Sequence, residues 1–187
     1  FFALPIAVGG MLLARDVILL ISSNEFVGAA VPFAILMLGA AFSYLNSVFG
    51  FASVAVNKQS RLLKISIMTI ILNVLINLFA IPHYGVAGAA TATLITEIVA
   101  CIGVYVVFRN QTGISVNFGP IAKMAIAALL MIPAKLVIDI MNFSLFVHFL
   151  TVSAMITLVY LATVVLLRGV PLDLLSIARR LTSRNTN

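Results

Sequence analysis

Charged side chains are rare in this sequence. Only 9% of its 187 residues are Asp, Glu, Lys or Arg, whereas 63% are hydrophobic, and the mean hydropathy is +1.24. So few polar groups cannot cover a water-soluble globule, which excludes an ordinary soluble domain. Cysteine is nearly absent as well. Because Cys101 stands alone in an apolar run, this chain can form neither a disulfide nor a thiolate metal site by itself.

The motifs of common enzyme classes are also missing. The sequence contains no H-E-x-x-H, G-x-S-x-G, P-loop or G-x-G-x-x-G pattern. Its two histidines, His83 and His148, fall near segment ends that we expect to lie at the outer surface. We therefore expect a protein that is not an enzyme and that holds no metal and no cofactor.

Long apolar runs separated by short polar breaks make up most of the chain. A helix needs roughly 20 mostly apolar residues to cross a bilayer, and continuous runs without alternation favour helices over a β-barrel. The runs are Phe1–Ile21, Val31–Val56, Leu62–Ile81, Val86–Phe108, Ile121–Ile138 and Leu145–Leu167. The sequence thus predicts an all-α, polytopic membrane protein with about six transmembrane helices in residues 1–167. Because Phe1 already lies inside an apolar run, we expect an upstream portion of the protein to precede it.

Basic residues collect on one side of this predicted topology. Numbering the loops alternately puts nine of the 11 Lys and Arg residues on one face: Lys58, Arg61, Lys64, Arg109, Lys123, Arg168, Arg179, Arg180 and Arg184. The positive-inside rule makes this face, and with it the C-terminus, cytoplasmic. The net charge of +6 is then a topology signal and not a sign of nucleic-acid binding. Residues 168–187 predict a basic amphipathic tail on anionic lipid, with a disordered basic tail as the alternative.

Polar residues form a stripe along the third run. Its members share one helical face: Ser66, Thr69, Asn73 and Asn77. The fourth run carries Glu97 near its middle, where a lipid-facing ionisable group costs about 2.5 to 3.5 kcal/mol or more. A tight turn at Pro82–Gly85 predicts that Glu97 meets Thr69 or Asn73, with Asn77 at a longer reach. This would form an inter-helical clasp, which we favour, or a site where Glu97 handles substrate or protons.

Two cations lie within or near the hydrocarbon region. Arg15 is adjacent to Asp16, and Lys135 precedes Asp139 by four residues. Snorkelling to the outer interface explains both pairs as well as a binding role does. If a cavity exists, Arg15 and Lys135 are the best candidates to bind a phosphate-bearing ligand.

Small residues line one face of the second run. Gly39, Ser43 and Ser47 follow one another at four-residue spacing. Such a ridge lets another helix approach closely, so packing is favoured over ligand contact.

The segment from Asn73 to Glu97 resembles a hairpin of the polysaccharide flippases, the O-antigen and capsule exporters of the multidrug/oligosaccharidyl-lipid/polysaccharide superfamily. It matches the pattern N-x-x-x-N-x-x-x-I-P-x-x-G-x-x-G-A-A-x-A-T-x-x-x-E. Further similar patches are Leu4-Pro5, Asn24-Glu25-Phe26, Ala29-Ala30 and Asn57-Lys58-Gln59-Ser60. The resemblance covers about residues 1–110, whereas the last two runs match only in hydropathy and position.

This resemblance implies the C-terminal lobe of a two-lobed carrier, whose N-terminal lobe is missing here. The family moves undecaprenyl-diphosphate-linked oligosaccharide across the cytoplasmic membrane for polysaccharide biosynthesis. The expected partners are therefore that lipid-linked oligosaccharide, membrane lipid and the N-terminal lobe of the same protein, with no nucleic acid. The open alternatives are a cation-coupled multidrug antiporter of the same superfamily and a membrane scaffold without transport activity.

The topology predicts that position 58 and position 184 both face the cytoplasm. In intact cells, single cysteines placed there should resist an impermeant thiol reagent and should react only after permeabilisation. Labelling of position 58 in intact cells would overturn the orientation.

Overall fold

The described part of the chain is almost entirely helical. A computed structural model describes residues 3–22, 24–55, 59–113, 117, 119–141 and 143–167, and within them no strand occurs. The elements are α1 (Ala3–Leu12), α2 (Ala14–Ile21), a 3-10 helix (Asn24–Ala29), α3 (Ala30–Ala55), α4 (Gln59–Thr112), α5 (Gly119–Leu129), α6 (Met131–Asp139) and α7 (Leu145–Leu166). Four stretches are long and apolar enough to cross a membrane, or five if the bent pair α1 and α2 counts as one. The predicted turn at Lys58 and the predicted tail, residues 168–187, lie outside the described residues.

The helix α4 is a hairpin. Gly85 interrupts its helical geometry with φ 56° and ψ −135°. On either side of it, Asn73 contacts Thr96 through a hydrogen bond of 3.1 Å, although these residues would stand about 35 Å apart in a straight helix. Farther from the turn, a Cβ on Gly103 would lie only 3.3 Å from Ile65. The first arm, residues 59–84, therefore runs antiparallel to the second arm, residues 86–112, and the predicted hairpin is confirmed.

Two glycines allow the arms of α4 to meet closely. Gly85 has a positive φ, which glycine adopts readily and other L-residues disfavour. At Gly88, a Cβ would overlap the carbonyl oxygen of Ala80 and would lie 2.7 Å from the carbonyl carbon. Since backbone atoms cannot rotate away as a flexible side chain can, the separation of the arms near the turn depends on the missing side chain at Gly88.

Buried apolar side chains form two clusters. The first lies among α1, α5, α6 and α7 and includes Met131, Val152 and Tyr160. The second joins α3 to both arms of α4, and in it the rings of Phe49 and Phe108 have centroids 5.5 Å apart. The polar stripe of the hairpin is therefore positioned by α3, while the Lys135 region belongs to the other cluster.

The helix predicted over Phe1–Ile21 is bent within its described part. The chain bends by 68° between α1 and α2. At the bend, Leu13 has φ −93° and ψ 5°, yet its amide still donates to the carbonyl of Gly9 at 2.9 Å. The sequence has no proline there to announce a kink, and the glycines at positions 9 and 10 lie a turn earlier. A second interruption, at Leu130, divides the predicted fifth helix into α5 and α6.

We expect Gly88→Ala to destabilise the hairpin by roughly 1 to 3 kcal/mol, because the new methyl group overlaps the backbone at Ala80. Thermal unfolding of the purified protein in detergent measures the effect. Gly50→Ala is the control, because a Cβ at Gly50 has no heavy atom within 4 Å and this position lies in α3. Equal unfolding temperatures for the two variants would contradict the close approach.

Candidate functional site

The clasp between the arms of α4 joins Asn73 to Thr96. The Asn73 amide nitrogen donates to the Thr96 hydroxyl at 3.1 Å, and Thr96 is buried. The Asn77 amide nitrogen in turn donates to the Asn73 carbonyl oxygen at 2.8 Å. Asn73 thus belongs to the contact between the arms, as the sequence predicted, whereas Asn77 bonds to Asn73 of its own arm. The predicted partner on the second arm, Glu97, is wrong.

The error in the predicted partner is one of helical face. Glu97 follows Gly85 by as many residues as Asn73 precedes it, so the position along the hairpin was correct. Successive helical residues, however, point about 100° apart. This rotation points Thr96 toward the first arm and points Glu97 toward α3. The relative rotation of the arms depends on the non-helical dihedral angles of Gly85, which the sequence does not give.

Glu97 lies where the second arm of α4 faces α3, and it borders two cavities. One cavity, of about 320 Å³, is lined by Gly39, Ser43, Tyr44, Ser47, Thr93 and Glu97 together with Leu36 and Ala40. The other, of about 360 Å³, is lined by Asn46, Thr69, Asn73, Thr93, Thr96 and Glu97 together with Ile70, Val74 and Ala100. The Oε2 atom of Glu97 is buried and has no hydrogen-bond partner among the described residues. Among the described residues, it is the one carboxylate that lines either cavity.

The predicted ridge of small residues contributes both to packing and to a cavity. A Cβ on Gly39 would lie 3.8 Å from the Cα of Leu94, so α3 and the second arm are closely packed at this point. Ser43 and Ser47, one and two turns farther along α3, line the smaller cavity beside Glu97. The packing role predicted for the ridge is confirmed at Gly39.

Threonine hydroxyls around Glu97 donate hydrogen bonds to backbone carbonyls. The bonds run from Thr69 to Ser66 at 3.0 Å, from Thr93 to Ala89 at 3.1 Å and from Thr96 to Ala92 at 3.0 Å. A hydroxyl has a single proton to donate, so none of these three can also donate to Glu97. This explains in physical terms why none of these threonines is a hydrogen-bond partner of the carboxylate.

Further donors around the cavities come from α3. The side chains of Ser43, Tyr44 and Asn46 line these cavities and make no hydrogen bond to another described residue. A ligand in this space would meet one carboxylate together with hydroxyl and amide groups. The site can therefore accept hydrogen bonds at Glu97 and both donate and accept them along α3.

Arg15 and Lys135 line neither of these cavities. The Lys135 ammonium lies 2.6 and 2.9 Å from the two carboxylate oxygens of Asp139, which confirms their i, i+4 pairing. Asp139 also contacts His148, whose other ring nitrogen faces Asp16. Arg15 is exposed and makes no ion pair within the described residues. His148 was predicted to lie near the outer surface, and its role in linking three helices was missed.

No protein-family model and no curated protein matches the chain. Within the described residues, no cluster of His, Cys, Asp and Glu side chains could hold a metal ion. The function is therefore argued from the cavities beside Glu97 and from the sequence resemblance.

We expect Thr96→Val to lower the free energy of unfolding by about 0.6 to 1.7 kcal/mol, because it removes the acceptor of the Asn73 amide while keeping the side-chain shape. Thr91→Val is the matched control, since that exposed hydroxyl donates only to Ala87 of its own arm. Unfolding by heat or by denaturing detergent gives the comparison. If both variants unfold alike, the clasp does not stabilise the hairpin.

Proposed function

We propose that this chain is the C-terminal lobe of a flippase that transports lipid-linked oligosaccharide, carried on undecaprenyl diphosphate, across the cytoplasmic membrane. In this proposal the N-terminal lobe of the same protein completes the transport cavity. The C-terminus faces the cytoplasm, and the product serves polysaccharide biosynthesis. The proposal combines the resemblance of the Asn73–Glu97 segment with the polar cavities beside Glu97.

The helices support a membrane location and six crossings. The arms of α4 present large apolar side chains to their surroundings, with Leu78 64% and Phe79 73% exposed. Such a surface suits lipid and not water. Because α4 reverses at Gly85, each arm is long enough for one crossing. Six crossings in the proposed carrier would then comprise α1 with α2, α3, the two arms of α4, α5 with α6, and α7.

The observation that carries the proposal is the unpaired Glu97 carboxylate between two cavities. Carboxylates, amides and hydroxyls are the groups that bind neighbouring sugar hydroxyls, because each hydroxyl both donates and accepts. Glu97 supplies the acceptor, and Ser43, Tyr44 and Asn46 supply groups of both kinds. We assign this space to the glycan part of the substrate.

The diphosphate part of the substrate requires cations. Lys135 is paired with Asp139, so a phosphate would have to compete with that carboxylate. Arg15 has no such competitor among the described residues, and its planar fork suits a phosphate. In the proposed carrier Arg15 is therefore the better candidate of the two, and cations of the N-terminal lobe would complete the site.

A cation-coupled multidrug antiporter is the second candidate. The observation that favours it is the same Glu97 carboxylate, because a buried acidic group without a partner would also bind an organic cation. The two candidates differ in what they transport, and the same variants can be assayed for drug resistance and for polysaccharide export.

We expect Glu97→Gln in the full-length carrier to reduce polysaccharide export roughly tenfold or more, because the loss of a charge-assisted hydrogen bond costs about 1.5 to 3 kcal/mol. Export is measured as surface polysaccharide in a strain without its own flippase and is normalised to the carrier in the membrane. Glu25→Gln is the matched control, since Glu25 lies exposed in the 3-10 helix.

Near-normal export by Glu97→Gln, together with poor folding of Glu97→Leu, would contradict a transport role for Glu97 and would indicate a structural one. The antiporter would be favoured if the wild-type carrier failed to restore export but conferred resistance to cationic drugs. That resistance should then be lost in Glu97→Gln.

A further inference from the structure

A second group of charged side chains connects α2, α6 and α7, outside the cavities beside Glu97. His148, in the first turn of α7, lies between two carboxylates. Its Nε2 atom is 3.0 Å from Oδ1 of Asp139 at the end of α6, and its Nδ1 atom is 3.6 Å from Oδ2 of Asp16 in α2. The side chains of His148 and Asp16 are only 16% and 12% exposed. Three helices thus place titratable groups at one point.

The two contacts of His148 are not equivalent. At 3.0 Å, Nε2 is within hydrogen-bond distance of the ionised Asp139 carboxylate, and a carboxylate only accepts, so the ring proton sits on Nε2. In the neutral ring Nδ1 then carries a lone pair that faces another carboxylate oxygen. The 3.6 Å separation at this contact is longer than a hydrogen bond. Asp139 therefore fixes the tautomer, and only Nδ1 remains to receive a second proton.

The surrounding charges leave Asp16 without a partner while His148 is neutral. Lys135 on α6 is paired with Asp139, so these two charges cancel. Arg15 on α2 is exposed and makes no ion pair in the described ranges, and α1 carries no titratable side chain. On α5, Lys123 lies in the first turns, about four helical turns before Asp139. Protonated His148 is then the one cation that the described helices bring to Asp16.

We propose that Asp16, His148 and Asp139 form a proton-binding site that holds α2 against α7. A proton taken from solution binds Nδ1 of His148, and the new N–H donates to Asp16 while Nε2–H continues to donate to Asp139. The group of four side chains then passes from a net charge of −1 to neutrality. On loss of that proton, the Nδ1 lone pair again faces the Asp16 carboxylate, and the contact between α2 and α7 weakens.

This site makes the cohesion of α2 with α7 depend on pH. The stabilising contact is present where His148 carries both ring protons and is lost as the pH rises and Nδ1 is deprotonated. Ordinary histidines change charge between about pH 5 and pH 8, whereas aspartates remain ionised there. The segment affected is α2, which follows the 68° bend and is the shorter part of the bent pair.

A double-mutant cycle at two pH values tests the proposal on the full-length protein in detergent or nanodiscs. The variants are Asp16→Asn, His148→Gln and their combination. At about pH 5.5, each single variant should unfold some 2 to 4 °C below the wild type, and the combination should lose no more than the larger single loss. At about pH 8, Asp16→Asn should show no loss or a small gain, because the new amide can donate to the Nδ1 lone pair.

The matched control is His83→Gln, because His83 is exposed and its ring contacts only the carbonyl of Phe79 in its own arm and the neighbouring Tyr84. This variant should leave the pH dependence of unfolding unchanged. Nitrogen-15 spectra of labelled histidine, assigned with His148→Gln, follow the wild-type ring directly if a variant fails to fold. We expect an Nε2–H ring at about pH 8 and a doubly protonated ring at about pH 5.5.

Three results would overturn the proposal. These are coupling between Asp16 and His148 that is equal at both pH values, coupling that is absent at both, and a ring that carries its proton on Nδ1 at about pH 8. None of these measurements depends on transport, so a failure here leaves the proposed function untouched, and the reverse also holds.

Discussion

The close approach of the two arms of α4 determines the arrangement of the polar side chains. Gly85 reverses the chain, and the absence of a side chain at Gly88 lets the second arm lie against the carbonyl of Ala80. This contact fixes which residues of the two arms lie opposite each other, because each arm is a regular helix that rises 1.5 Å per residue from the turn. Asn73 then meets Thr96, and the neighbouring Glu97 turns toward α3. A shift of one residue at the turn could place Glu97, in the position now held by Thr96, opposite Asn73.

The threonine hydroxyls of the two arms mostly form hydrogen bonds within their own helix. Backbone carbonyls accept the hydrogen bonds of the Thr69, Thr93 and Thr96 hydroxyls. Residues that are polar in the sequence therefore leave few donors free for a ligand or for another helix. Polarity and hydrogen-bonding capacity are therefore different quantities in an apolar helix. The hydrogen-bonding groups beside Glu97 that the hairpin leaves unused belong mainly to that carboxylate and to Ser43, Tyr44 and Asn46 of α3.

The positions of the helices could be predicted from the sequence because apolar length is a local property. The runs Val31–Val56 and Leu145–Leu167 differ from α3 and α7 by only a residue at an end. The hairpin was also predictable, because proline and glycine mark turns locally. The bend at Leu13 was not, since no proline announces it. The contacts of His148 were not either, because Asp16 and His148 lie near opposite ends of the chain and meet only through the packing of α2 on α7.

The bend at Leu13 also has a consequence for how deep α2 lies in a bilayer. Because α1 and α2 meet at 68°, an α1 that stands along the bilayer normal leaves α2 within about 22° of the membrane plane. The eight residues of α2 are about 12 Å long and then advance only about 4 to 5 Å through the lipid. Asp16 would therefore stay close to the depth of the bend, where a continuous helix would have carried it farther along the normal.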